Sequence, residues 1–347
     1  MFSRRRWSLR LPLLVPFLLL AGCPGLTSDP VVSIGGAKSY LFCFWNVENL
    51  FDDHFDGRTH RADKEYDVWF AEDAIARRLK YEHLRDALLR LNDDKGPDIL
   101  ALAEVETLRA AELLRDALNE KLDPALQYTH LLFKEASGGR NINTAILTRV
   151  PVEGDRTKLL GRRLRILEGH LVLNGHELVI IASHWTSRLT DEEGEARDKY
   201  ADQIYGEYKA MYRANAKVDL LVCGDFNDPP DEISVVKHLH AVQDRDAVLK
   251  SGNEPLLLDL MAGKPAREFG TLYEARQAKW HIFDQIAVSP GLLDEEGWSC
   301  DLDSVHRVNE YTAQKNGHPK SFGNEHRGER GYSDHFPVTV RLKVQGR

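Results

Sequence analysis

The chain has 347 residues, 42% hydrophobic and 29% charged, with a formal net charge of −8. That composition is ordinary for a soluble globular protein and fits one large α/β domain or two smaller ones, with enough apolar residues for a sizeable core. The acidic balance excludes the broad positive field that gives strong nonspecific nucleic-acid binding, so any phosphate-bearing substrate must be met by local cations or by a metal ion.

In chain order, the first 23 residues, "MFSRRRWSLRLPLLVPFLLLAGC", combine a basic start, a Pro-broken apolar run and small residues before a cysteine. That is the architecture of an export signal, too short and interrupted for a comfortable membrane span. Leu20-Ala21-Gly22-Cys23 resembles the lipobox of bacterial lipoproteins. The resemblance implies a signal peptide over 1–22, lipidation of Cys23, and export to the periplasmic or cell-surface side with anchorage to the bacterial membrane. Loss of residues 1–22 removes four arginines and no acid, which takes the charge from −8 to −12. Residues 23–38 read as a tether, and 39–347 as one domain without repeat or linker. Cys43, Cys223 and Cys300 remain, an odd count without the spacing of a disulfide framework or a zinc site.

Strand-like apolar runs recur at 39–47, 98–103, 128–133, 143–148, 164–173, 177–183, 218–223, 281–288 and 336–343. "LVLNGHELVI" is a hairpin signal with Asn174-Gly175 at its turn. Helical patterns fall at 72–91, with apolar positions Ile75, Leu79, Leu84, Leu88 and Leu91, and at 107–120 and 195–213. Strands alternate with helices early and follow one another in the middle. That order predicts a sandwich of sheets with outer helices rather than a simple doubly wound sheet.

The informative feature is how the apolar runs end. "LFCFWN" stops on Asn46, "DILALAE" on Glu104, "LVIIASH" on His184 and "VDLLVCGDFN" on Asp225 and Asn227. Asp284 sits in "HIFDQIAV", and Asp334-His335 precede the last strand in "GYSDHFPVTV". Taken singly, Asn and Asp end strands because they turn well, a histidine can be a satisfied core residue, and Glu104 can cap a helix, although Thr107 is as natural a cap. Together they are an inventory for binding a hard divalent cation and moving protons on a phosphate. A lone carboxylate at Asp284, between apolar neighbours, calls for a partner.

The ordered set "WNVENLF", "DILALAEVE", "ASHWTSR", "GDFND", "FDQI" and "YSDHFPV" resembles the endonuclease/exonuclease/phosphatase superfamily, from about Tyr40 to Leu342, and most closely its secreted nuclease branch. The resemblance implies a four-layered α/β sandwich, two central and mostly antiparallel sheets flanked by helices, with the site at one end. It implies Asn46, Glu104 and Asp334 as metal ligands, with Mg²⁺ as the ion and Mn²⁺ or Ca²⁺ as substitutes. Asp225 and Asn227 would handle the water and the phosphate, His335 would stand beside the scissile phosphate held by Asp284, and His184 would be the second histidine. Glu48 stands near the metal position, and Arg140 resembles a phosphate-binding arginine. Gln285, where many relatives carry Tyr, and the run Arg140-Asn141-Ile142-Asn143 depart from the pattern. The acidic partner expected for His184 is unplaced, with Glu135 the nearest in sequence. The implied activity is metal-dependent phosphodiester hydrolysis by a monomer. The substrate would be DNA or RNA, or alternatively a sphingomyelin-type headgroup or an inositol phosphate, and an inactive binding lipoprotein is a third reading. Arg156, Lys158, Arg162, Arg163 and Arg165 form either a nucleic-acid track or a solvated strand face.

Overall fold

A computed structural model describes residues 38–152, 156–314 and 316–346. Cys23, the signal segment and the tether up to residue 37 lie outside the described residues. Among the described residues no helix is long and apolar enough to cross a membrane.

The strands in chain order are β1 (Lys38–Leu50), β2 (Ile99–Val105), β3 (His130–Phe133), β4 (Asn143–Thr148), β5 (Lys158–Leu159), β6 (Ile166–Leu173), β7 (His176–His184), β8 (Leu220–Asp225), β9 (Ala241–Val242), β10 (Leu257–Asp259), β11 (Leu272–Glu274), β12 (Lys279–His281), β13 (Asp284–Val288), β14 (Trp298–Arg307) and β15 (Val338–Val344). Six form one sheet in the order β14-β15-β1-β2-β4-β3, seven form a second in the order β5-β6-β7-β8-β13-β10-β9, and β11-β12 is a separate hairpin. The principal helices are α1 (Arg61–Glu72), α2 (Ala74–Leu89), α3 (Leu108–Asn119) and α4 (Glu195–Ala214).

β1 shows why the run "LFCFW" carries no polar residue. Phe42 and Phe44 pack into the core between the sheets, against Ile180, Ala182, Cys223 and Ile286. Leu41, Cys43 and Trp45 face the other way, into a layer with Leu84 and Leu88 of α2 and Leu114 of α3. A strand buried on both faces reads as a continuous apolar run rather than an alternation. The second sheet is covered in the same way, with Val179, Ile181 and Val222 packed against Tyr200, Ile204 and Tyr208 of α4. The result is helix, sheet, sheet, helix: the four-layered sandwich.

Each sheet has a parallel pair at its centre, β1 beside β2 and β7 beside β8, among mostly antiparallel neighbours. A parallel pair requires a crossover, supplied by α1 and α2 in the first sheet and by α4 in the second. Register then decides where the polar strand ends go. Asp284, the first residue of β13, pairs with Asp225, the last of β8, which pairs in turn with His184, the last of β7. β15 runs antiparallel to β1 with Val338 opposite Phe44, so Ser333-Asp334-His335 lie at the end of β1 that carries Asn46. The C-terminal ends of the parallel strands are where ligand sites form in such sheets.

Several expectations need correction. The pattern 72–91 corresponds to the one helix α2, Ala74–Leu89, which is parted from α1 at Asp73, whose carboxylate caps α2 by accepting from the Ile75 and Ala76 amides. Ile75, expected inside, is 73% exposed. The run 281–288 divides between β12 and β13, which belong to different sheets. α1 and the ten-residue β14 were not anticipated.

Candidate active site

Two β-bulges re-aim the first pair of side chains. The β1–β2 register shifts between Asn46 and Leu50, where Glu48 and Asn49 have φ of 51° and 53°, and the β2–β4 register shifts at Glu104, with φ 65°. Left-handed backbone at non-glycine residues costs free energy and clusters at functional sites. Asn227, after β8, joins them at φ 53°. The bulges let Glu104 turn toward β1, where its Oε2 accepts from the Asn49 amide at 2.8 Å.

Asn46 bridges the sheets. Its Nδ2 donates to Asp225 Oδ2 at 3.0 Å and to Glu104 Oε1 at 3.4 Å, while its Oδ1 accepts from the Glu48 amide at 3.1 Å. Asp225 Oδ1 accepts from the Asn227 amide at 2.9 Å, and Asn227 Nδ2 donates to the Trp185 carbonyl at 3.2 Å. Two imidazoles face the same carboxylate oxygen, for His184 Nε2 and His335 Nε2 each lie 3.8 Å from Asp225 Oδ2.

The partner that Asp284 called for is His335. Asp284 is fully buried, and its Oδ2 meets His335 Nδ1 at 2.7 Å. Its Oδ1 has no hydrogen-bond partner among the described residues. Burial alone would lower the His335 pKa, but Asp284 and then Asp225 outweigh it and hold the imidazole well above its ordinary value. His184 goes the other way. Burial first, then the charges of Arg165, Arg140 and His335, hold it well below, and its buried Nδ1 has no partner among the described residues. One histidine is built to be charged and the other neutral.

Glu135 is not the missing acid. It faces Arg58 and Asn141, while Arg165 donates to the His184 carbonyl at 3.0 Å. Arg165 therefore leaves the basic track as a buried structural residue. Arg156 pairs with Glu177, and Lys158 with Glu168 and Glu207. Arg162 and Arg163 stay exposed, and among the described residues neither pairs with an acid.

Glu48 accepts from Ser321 Oγ and from the Phe322 and Gly323 amides, so its carboxylate anchors the loop before Asp334. Arg140 is held by Asp63 of α1 and by Asn49 Oδ1, with Nε at 2.7 Å from Asp63. Asp334 is partly exposed, and burial of its carboxyl, then the charges of Glu48 and Glu104, raise its pKa. Hard carboxylate oxygens gathered at mutual electrostatic cost suit a hard divalent cation. Asp225, Asp284 and His335 also offer ligand atoms close together; a second group beside β1 consists of two triplets that share Asp52, one with Asp53 and His54 and one with Asp56 and Glu106. In that second group Arg58 binds Asp56 and Glu106, Thr107 binds Asp52, and Arg109 binds Asp53.

Sequence reasoning missed Lys80, Tyr66 and Asp63 around these acids. Lys80 and Asp63 occupy the buried stripes of their helices, in step with Ala76 and Leu84 for the first and with Asp67 and Phe70 for the second. A charged residue in phase with an apolar stripe was the available signal. Gln285, the departure from Tyr, donates to the Asp228 carbonyl at 2.6 Å and so braces the turn after Asp225. Thr107, not Glu104, caps α3, its hydroxyl accepting from the Ala110 amide.

Among solved structures, the truncated TDP2 of Caenorhabditis elegans matches with 16% identity over 88% of this chain and 98% of that one, at a TM-score of 0.51. The mannosyl-6-phosphatase of Bacteroides thetaiotaomicron VPI-5482 matches at 15% identity over 87% and 99%, with a TM-score of 0.54. Identities this low carry the fold alone. No curated protein sequence matches. The model of the endonuclease/exonuclease/phosphatase family matches residues 41–344, nearly the whole span whose strand ends converge here. The chain belongs to that family, whose members are metal-dependent phosphoesterases.

Proposed function

We propose that the chain is a nuclease that hydrolyses phosphodiesters of DNA or RNA outside the cytoplasm, held at a membrane through Cys23. The observation that carries the reading is Asp225 Oδ2, which takes a hydrogen bond from Asn46 and faces the Nε2 atoms of His184 and His335. Asp225 orients a water and accepts its proton. His335, kept protonated by Asp284, presents Nε2–H to the phosphate or the leaving oxygen, and His184 stays neutral beside it. Asn227 steadies the phosphate. Glu104, Asp334 and Asn46 Oδ1 would hold Mg²⁺ or a similar ion, which when bound neutralises charge on a nonbridging oxygen.

Two features favour a polymeric diester. The two arginines that act on His184 are both engaged, Arg140 by Asp63 and Asn49 and Arg165 by the His184 and Trp185 carbonyls; a singly charged diester needs fewer cations than a monoester dianion. A cleft of about 440 Å³ is lined by Pro229, which follows the "GDFND" turn in the chain, by Lys264, and by Lys279, Trp280, His281 and Ile282, which lead into Asp284. Its lysines and indole suit the phosphates and bases beyond the cut.

The test is incubation of the purified protein with supercoiled plasmid, single-stranded RNA, sphingomyelin vesicles, an inositol phosphate and a sugar phosphate, each in Mg²⁺ and in EDTA. Metal-dependent scission of plasmid or RNA is expected. Intact nucleic acid beside a released headgroup or phosphate would move the protein to another substrate class of the family.

A further inference from the structure

Helix α2 carries a lysine into the interior. Lys80 has no exposed surface, and it follows Ala76 and precedes Leu84 on the buried stripe. Its ammonium donates to the Tyr332 carbonyl at 2.7 Å and lies 4.9 Å from the centre of the Phe322 ring. Among the described residues it makes no ion pair, and the charges of Glu48, Asp334 and Glu104 favour its protonated form. Burial draws its pKa down to about 8 against their upward pull. The influence is mutual, since Lys80 opposes the rise of the Asp334 pKa. One turn along α2, His83 Nδ1 contacts the Gly331 carbonyl at 2.5 Å. The helix thus grips the backbone just before Ser333-Asp334-His335.

A buried ammonium is costly, and a carbonyl needs only a neutral donor. The charge has to be offset by something else, and the contacts lead to the acids of the metal position: Tyr332, whose carbonyl Lys80 holds, lies two residues before Asp334, and Phe322, whose ring Lys80 faces, gives its amide to Glu48. We propose that Lys80 is the resident counter-cation of the metal pocket. It holds Glu48, Glu104 and Asp334 together when no ion is bound, and its positive charge limits how tightly a divalent ion binds. The proposal rests on reading Glu104 and Asp334 as metal ligands. Lys80 is a positioning residue here, acting through those acids rather than on substrate.

The experiment uses the full chain and the variants Lys80→Gln, which keeps a donor without the charge, and Lys80→Arg, which keeps both. Mn²⁺ binding is followed by the electron paramagnetic resonance of the free ion, and thermal unfolding is recorded in EDTA and in Mg²⁺. Lys80→Gln should bind Mn²⁺ roughly tenfold more tightly than the wild type, as expected when one positive charge near the ion is removed. It should melt lower in EDTA and gain more from Mg²⁺, while Lys80→Arg stays near wild type. Affinity for Mn²⁺ unchanged or weakened in Lys80→Gln would overturn the assignment. If Lys80→Gln does not fold in EDTA, Lys80→Gln/Glu104→Gln should recover the fold by removing one of the repelling acids, and no recovery again counts against it. A wild-type protein that binds no Mn²⁺ defeats the metal reading itself, whereas wild-type affinity in Lys80→Gln defeats only the role given to Lys80.

Discussion

Replacing His335 separates what holds the site together from what does chemistry in it. His335→Ala strips Asp284 Oδ2 of its 2.7 Å partner, and Oδ1 has none already. A fully buried carboxylate would then stand uncompensated, at a cost on the order of 3–5 kcal/mol. His335→Asn places an amide N–H about where Nδ1 was, keeps one hydrogen bond, and should lose only about 1–2 kcal/mol. Against a total stability of about 5–15 kcal/mol the gap between the two variants is easily measured. Both lack the Nε2 that faces Asp225, so both should lose about 10²–10⁴-fold in turnover. Urea unfolding at neutral pH and hydrolysis of bis(p-nitrophenyl) phosphate read the two effects separately. Equal stabilities, or an Asn variant that turns over normally, would refute the reasoning.

The raised His335 pKa also sets a pH dependence. Its stabilising contribution is full below the unfolded histidine value of about 6.5 and is lost as pH rises through the higher folded value. Wild-type stability should therefore fall toward alkaline pH more steeply than that of His335→Asn, as urea midpoints across pH would show. Gly224 sits where β8 presses on β7, and a Cβ there would meet the Ser183 carbonyl at 2.3 Å. Gly224→Ala should cost about 1–3 kcal/mol and reduce activity by displacing Asp225, a loss visible in thermal unfolding alongside turnover. Lys264→Ala combined with Lys279→Ala should weaken binding of a labelled oligonucleotide and flatten its log–log salt dependence by about one unit per lost phosphate contact, as read by fluorescence anisotropy against KCl.

The strand ends were legible because two-sided burial writes itself as an unbroken apolar run, so the first polar residue after it marks the rim. Asn46, His184 and Asp225 were visible for that reason, and the hairpin at Asn174-Gly175 for its turn chemistry, with φ of 55° and 88°. β14 was hidden because its exposed edge position lets Asp301, Asp303 and His306 replace apolar residues. Lys80 was hidden because periodicity counts apolar residues and passes over a charge in their midst. The roles of Arg165 and Glu135 were beyond the sequence altogether. Whether an arginine tracks a substrate or supports a histidine carbonyl depends on contacts set by register across β6 and β7, where Ile166 faces Ser183.

The central claim is a divalent-ion-dependent diesterase centred on Asp225 and His335. Its most direct test is bis(p-nitrophenyl) phosphate hydrolysis by the wild-type protein and by His335→Asn across a Mg²⁺ titration, with EDTA as the zero point. The account expects wild-type turnover that rises from zero and saturates with Mg²⁺, and a folded His335→Asn at least about a hundredfold slower at every concentration. Turnover that persists in EDTA, or an Asn variant as fast as the wild type, would contradict it.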